Sequence, residues 1–179
     1  MMAVPRLVIT RTEFDADAIA KALRLNEPEV VAAFRDGRGA WPFSEQWGAR
    51  LYEFVKHGNS NQAGSDGAVA LEQLRDVKFS VKALSRNGVK FQQSKFVGSG
   101  RSTTKQDLIS SLEACDRVIV VDITAFPEVR FVPVDGTKLL TAAHTGQLTT
   151  GGWTKPRFYA WLNASYAVSV LEVGPPSTP

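Results

Sequence analysis

The stretch VKFSVK at positions 77–82 alternates apolar and polar side chains, which is the period-two pattern of a half-buried β-strand. A second apolar run begins just after Asp66, and residues 72–76 between the two runs are typical of a turn. A hairpin folded at this turn would bring Asp66 beside Ser80 and Lys82, because paired strands lie only about 5 Å apart. The sequence therefore predicts an acid and a lysine side by side on neighbouring strands.

Hydrophobic periodicity divides the rest of the chain into helices and strands. Arg117–Asp122 is apolar without alternation, as in a strand buried on both faces. We expect helix caps at Asn26, at Ser44 and at Thr103 or Thr104. The predicted helices are 15–25, 26–37, 44–57, 103–113 and 137–144, and the predicted strands are 7–10, 65–71, 77–84, 89–97, 117–122, 129–134 and 166–173. These elements predict an α/β (α+β) fold with a central mixed β-sheet flanked by helices.

Length and composition indicate one soluble domain. The chain has 179 residues, of which 44% are hydrophobic and 22% charged. We expect a single domain over 1–179, with an N-terminal helical segment at 1–40, a core at 41–123 and a C-terminal extension of the sheet at 124–173. We expect no signal peptide and no membrane helix, since no apolar run approaches about 18 residues. The single cysteine, Cys115, excludes an internal disulfide and favours the cytoplasm.

Two acids and the lysine carry the predicted chemistry. Phosphodiester hydrolysis needs a divalent cation, an activated water and positive charge for the developing oxyanion. Mg²⁺ prefers hard oxygen ligands, so Asp66 would be the central ligand. Glu45 would reach in from its helix, either to the metal or to its water, and the Val81 carbonyl is also available if the strand edge opens there. Lys82 would orient the attacking water and stabilise the transition state.

These residues and the element order resemble the PD-(D/E)XK nuclease superfamily, which includes many type II restriction endonucleases. The resemblance covers residues 44–123, where the predicted order is helix, three strands, helix, strand, as in the αβββαβ core of that family. It rests on Glu45, on Asp66 and on the Ser80-Val81-Lys82 triplet. It implies a Mg²⁺-dependent nuclease with Glu45, Asp66 and Lys82 at its centre.

The sequence departs from the family pattern at two positions. Ser80 stands where the family usually has an acid, and Ser65 stands where proline usually precedes the aspartate. A second register, Asp76-Val77-Lys78, restores the missing acid but places the triplet at the turn, and we rank it below the first. Glu53 is an alternative to Glu45.

Two polar stretches are candidates for DNA contact. Arg, Asn and Gln side chains can pair with base edges in the major groove, whereas lysines hold phosphates. The first stretch contributes Arg86, Asn87, Lys90, Gln92, Gln93, Lys95, Arg101 and Lys105. The second contributes Trp153, Lys155 and Arg157.

The sequence thus predicts an endonuclease that cuts double-stranded DNA at a short site, as a homodimer with one active site per strand. The net charge of +3 is compatible with nucleic acid binding. Two other interpretations stay open. One is a DNA-binding regulator that uses a helix-turn-helix formed by the two N-terminal helices, and the other is a structural or interaction protein. Metal-dependent cutting of plasmid DNA would separate the nuclease from both.

Overall fold

The computed structural model describes residues 5–37, 40–53, 55–56, 67–69, 77–93 and 102–174. In these ranges the chain forms seven strands and six helices. The strands are β1 (Arg6–Glu13), β2 (Val55–Lys56), β3 (Gly67–Val69), β4 (Val77–Leu84), β5 (Arg117–Asp122), β6 (Glu128–Asp135) and β7 (Ala167–Glu172). The helices are α1 (Ala16–Leu23), α2 (Glu27–Asp36), α3 (Trp41–Leu51), α4 (Lys105–Glu113), α5 (Gly136–His144) and α6 (Lys155–Ser165).

All seven described strands join one mixed sheet in the order β2-β3-β4-β5-β6-β1-β7. β4 and β5 are parallel and are connected through α4, and β1 and β7 are parallel at the far edge. The remaining neighbours are antiparallel. The mixed sheet flanked by helices confirms the predicted α+β class.

β5 lies at the centre of the sheet and is buried along almost its whole length, as its uninterrupted apolar sequence predicts. Val118 and Val120 point into a core formed with α4, α5 and α6. Ile119 and Val121 point into a second core formed with α1, α2 and α3. Burying a side chain of this size contributes about 1.5–3 kcal/mol, so β5 anchors both helical layers.

Aromatic side chains fix the layer of α1–α3 against one end of the sheet. The rings of Phe14 and Trp47 stack with centroids 3.9 Å apart, and those of Phe34 and Phe126 with centroids 4.4 Å apart. Arg35 donates two hydrogen bonds to the Phe126 carbonyl oxygen, at 3.0 and 2.8 Å. These contacts hold α3, and with it Glu45, on this side of the sheet.

Several predicted boundaries are wrong. α3 begins at Trp41, so Ser44 is not its N-cap: the buried Ser44 hydroxyl donates to the Ala40 carbonyl oxygen at 2.9 Å inside the helix. Residues 89–93 of the predicted strand 89–97 form only an isolated bridge at Val89, and the rest of that strand lies outside the described residues. β2 and α6 were not predicted.

None of the helices in the described part of the chain is long and apolar enough to cross a membrane.

Candidate functional site

Lys82 lies in β4 on the face that also carries Ser80 and the buried Leu84. Phe79, Val81 and Ala83 pack into the core beside α1–α3, and alternation turns Ser80 and Lys82 to the other face. Ser80 is buried and Lys82 is half-buried. Among the described residues, the Lys82 ammonium has no hydrogen-bond or ion-pair partner. A half-buried lysine with no partner in the described part of the chain is a candidate to bind an anion.

The strand predicted to carry Asp66 pairs with β4 as expected. Gly67 is opposite Phe79 and Val69 is opposite Val77, in an antiparallel register. Asp66 itself lies outside the described residues, as do Lys95 and Arg101 of the predicted DNA contacts and Asp76 of the alternative register.

Lys78, the lysine of the alternative register, shares a face with Lys82. It is exposed and lies in β4, two residues before Ser80, whereas Lys82 lies two residues after it. Its backbone N–H donates to the Asp116 carboxylate at 3.0 Å. Lys78 is therefore a strand residue, as the predicted strand 77–84 required, and does not lie at the turn where the alternative register would place it.

The structure does not bring Glu45 to the face of Lys82. Glu45 lies in α3, whose Trp47, Ala49 and Leu51 pack on the opposite side of the sheet. The alternative acid, Glu53, is exposed at the end of α3 with a left-handed φ of 52°. The sequence could not show on which side of the sheet either glutamate lies, because the spacing of residues along a helix does not reveal which side of a sheet the helix covers.

No group of three His, Cys, Asp or Glu side chains suited to a metal ion occurs within the ranges that the structure describes. Val81, whose carbonyl was a predicted ligand, lies in β4 opposite Ile119 of β5. Of the predicted metal site, the structure describes Lys82 and the β4 backbone at Val81, whereas Asp66, the predicted central ligand, lies outside the described residues.

The two polar stretches predicted to contact DNA are joined to each other. The Val89 N–H donates to the Trp153 carbonyl oxygen at 2.8 Å, and the Trp153 N–H donates to the Val89 carbonyl oxygen at 3.0 Å. The Gln92 side-chain amide donates to the Thr150 carbonyl oxygen at 2.6 Å. These bonds connect residues about sixty positions apart into one surface, a pairing that no local pattern predicted.

Not every predicted contact residue is accessible on that surface. Trp153 and Gln92 are only 3% and 2% exposed, and the Trp153 indole N–H donates to the Gln147 carbonyl oxygen. Both are buried parts of the loops and not DNA contacts in this conformation, which corrects their assignment. Arg86 pairs with Asp36 at 2.6 Å. The described candidates with exposed side chains are Arg86, Asn87, Lys90, Lys105 and Arg157, and Gln93 and Lys155 are half-buried.

Lys155 belongs to a polar cluster that sequence reasoning missed. Its ammonium lies 3.0 Å from Asp122, which is 2% exposed at the end of β5. The same carboxylate accepts hydrogen bonds from the Tyr159 hydroxyl at 2.8 Å and from the Thr124 N–H and hydroxyl. Burial, and then the Asp122 charge, raise the pKa of Tyr159. Asp122, an acidic residue at the end of an apolar strand, is the feature of the sequence from which this cluster could have been predicted.

Comparison of the chain with protein-family models, with curated proteins and with solved structures finds no match.

Proposed function

We propose that this protein is a Mg²⁺-dependent endonuclease that hydrolyses phosphodiester bonds of double-stranded DNA, with Asp66 and Lys82 at its active site. The observation that carries the proposal is the half-buried Lys82 in β4, on a strand paired in register with the segment that follows Asp66. Continued by one residue, that register would set position 66 opposite Ser80, and residues diagonal to each other across a ladder are about 7–8 Å apart. A long lysine side chain spans that distance.

The element order supports the resemblance to the PD-(D/E)XK superfamily. α3, β2, β3, β4, α4 and β5 follow one another as helix, three strands, helix and strand. With β2 included, Asp66 precedes the second strand of this series and Lys82 lies in the third. From the sequence alone, Asp66 and Lys82 were expected in the first and second strands.

Each residue has a proposed part in the reaction. The Asp66 carboxylate and the Val81 carbonyl oxygen would hold the cation. When bound, Mg²⁺ would neutralise negative charge on the scissile phosphate and lower the pKa of a coordinated water. The Lys82 ammonium donates a hydrogen bond to the attacking water or to a phosphate oxygen and offsets the charge that develops there. Because Glu45 lies across the sheet, we assign it a smaller contribution than Asp66.

The test is cleavage of supercoiled plasmid in Mg²⁺ and in chelator. We expect cutting in Mg²⁺ alone, as discrete bands if the enzyme recognises a short sequence. Lys82→Ala should lower the cutting rate by about 100-fold or more, as loss of a charged catalytic group does. Asp66→Ala should do the same, and both variants should still bind DNA. Glu45→Gln should retain more activity than Asp66→Ala.

Lys78→Ala is the matched control for Lys82→Ala, because both lysines lie on one face of β4 at the same distance from Ser80. Activity lost in Lys78→Ala but kept in Lys82→Ala would move the site to Asp76 and Lys78. A wild-type protein that leaves plasmid intact in Mg²⁺ and in Mn²⁺ would contradict the nuclease proposal as a whole.

The regulator interpretation has less support. α1 and α2 do form a helix pair joined at Asn26. However, the first turn of α2 exposes Glu27 and Glu29, and negative charge on a recognition helix opposes approach to phosphates.

We also propose that the enzyme is a homodimer, as two cuts in a two-fold symmetric site require.

A further inference from the structure

Residues 85–93 and 147–157, which we call the loop platform, carry a charge pattern of one sign. The two segments contain four cationic residues, Arg86, Lys90, Lys155 and Arg157, and no acidic residue. Arg86 and Lys155 are paired with the acids Asp36 and Asp122 from elsewhere in the fold. Lys90 has no ion-pair partner among the described residues, and Arg157 makes only a 3.4 Å contact with the Gln147 carbonyl oxygen.

The underside of the loop platform is apolar and tightly packed. Val89, Phe91 and Trp153 are 1%, 2% and 3% exposed. The rings of Phe91 and Trp153 meet edge to face with centroids 5.7 Å apart. With the paired hydrogen bonds between Val89 and Trp153, this packing gives the exposed side a fixed geometry. A fixed backbone limits where the exposed side chains can lie before a ligand arrives, which lowers the entropy cost of binding.

Two glycines set how closely the segments approach. Gly88 and Gly152 have φ values of 85° and 76°, a region that favours glycine. A Cβ at Gly152 would lie 2.0 Å from the Val89 carbonyl oxygen, and one at Gly88 would lie 2.4 Å from the Trp153 carbonyl oxygen. Gly151, next in sequence to Gly152, has room: its Cβ would meet only the Thr149 hydroxyl, at 3.6 Å.

The position of Arg157 does not favour the stability of the folded chain. It lies in the first turn of α6, where no acidic residue occurs and where the helix dipole disfavours a cation. Its exposed guanidinium gains little from the described part of the fold, since its contact with the Gln147 carbonyl oxygen is long. A bound polyanion would convert this unfavourable position into a favourable one.

We infer that the loop platform is one preformed DNA-binding surface, in which Lys90 and Arg157 contact phosphates and Asn87, at the exposed turn, lies nearest the bases. Gly88 and Gly152 are positioning residues, since they touch no DNA but set the spacing of the two cations. The choice of duplex DNA as ligand rests on the proposed nuclease function. The surface binds without metal, so its affinity is separable from cleavage.

The experiment measures binding of a fluorescent DNA duplex to the full chain in chelator, by anisotropy over a range of salt concentrations. Lys90→Ala and Arg157→Ala should each weaken binding about tenfold. Each should also lower the slope of log affinity against log salt by about 1. Arg6→Ala is the matched control, because Arg6 is an exposed cation in β1, outside the platform. It should leave both quantities unchanged.

The glycine pair tests positioning without removing a charge. Gly152→Ala should weaken DNA binding as much as the double variant Lys90→Ala/Arg157→Ala, whereas Gly151→Ala should bind as wild type. If Gly152→Ala fails to fold, the double variant alone decides the outcome. Unchanged affinity in the double variant, or in a folded Gly152→Ala, would overturn the inference. Tighter binding of duplex RNA than of duplex DNA would overturn the choice of ligand.

Failure of this inference is distinguishable from failure of the nuclease proposal. A protein that binds DNA through Lys90 and Arg157 but never cuts would contradict the nuclease alone. A protein that cuts plasmid while the double variant binds normally would contradict the loop platform alone.

Discussion

Burial of the tyrosines gives the folded chain an unusual alkaline titration. Tyr52, Tyr159 and Tyr166 are the three tyrosines of the chain. Burial raises the pKa of each hydroxyl, that of Tyr52 to about 12, and the Asp122 charge adds to the effect at Tyr159. Near pH 10, where an exposed phenol is half ionised, the native protein should therefore show much less tyrosinate absorbance than the unfolded chain. The urea-unfolded protein should show about half of the full signal.

The same shift has a defined sign for stability. A folded pKa above the unfolded one contributes stability that is complete below pH 10 and is lost as the pH rises from about 10 toward 12. The free energy of unfolding should fall over that range by on the order of 2 kcal/mol from Tyr52 alone. A native protein with half-developed tyrosinate absorbance at pH 10 would contradict the burial of these hydroxyls.

The structural roles of individual residues could be predicted where they depend on interactions between residues close in sequence. Asn26 and Thr104 were expected as caps, and both accept a hydrogen bond from the third residue of their helix. Gln92 and Trp153 were expected to be exposed because their segments are polar. Their burial depends on contacts between residues about sixty positions apart, which a single sequence does not encode in any local pattern.

At the scale of elements, the capping box of α2 should be measurable. The Asn26 side chain accepts from the Glu29 N–H at 2.9 Å, and the Glu29 carboxylate accepts from the Asn26 N–H at 3.0 Å. Asn26→Ala removes half of this box and should lower the free energy of unfolding by about 1 kcal/mol in urea titration. Glu29→Gln is the control, because glutamine can also complete the box. Equal midpoints for Asn26→Ala and wild type would show that α2 does not depend on its cap.

Helices and strands could be predicted where the hydrophobic pattern extends over many residues, and they were missed where it does not. β4 and β5 match their predicted bounds, since an alternating run and an uninterrupted apolar run are distinct signals. β2 has two residues, too few for any period to develop. α6 begins with Lys155-Pro156, a favourable helix start, but its glycine-rich approach indicated a loop.

At the scale of the whole molecule, the division of side chains between the two faces of the sheet was not predictable. The sequence assigned Glu45 to a helix and Lys82 to a strand, where the structure has them, and it assigned Asp66 to a strand. The layer that α3 joins depends on the aromatic contacts of Trp47 with Phe14 and Phe34, which form between distant segments. That layer decides which acid can reach Lys82, so Asp66 carries more of the proposed chemistry than the sequence implied.

The proposed homodimer has a suitable surface at β7. This strand forms one edge of the sheet, and Val170 and Leu171 are each 54% exposed. It contains no lysine or proline, the residues that commonly protect an edge from pairing, and Glu172 is paired with Arg11. A two-fold axis through Ser169 would pair Val168 with Val170 of a second copy in an antiparallel ladder, with no like charges opposed.

We therefore expect light scattering to give twice the chain mass of 19.5 kDa, and Val170→Lys to give the monomer. Leu23→Lys is the matched control, because Leu23 is an apolar side chain of similar exposure, 52%, that lies in α1 and not at this edge. It should leave the mass unchanged, since a charge there faces no second copy. A wild-type monomer, or a dimer that Val170→Lys does not disturb, would move the dimer contact away from β7. The active-site prediction for Lys82 would be unaffected, because β5, β6 and β1 separate β4 from this edge.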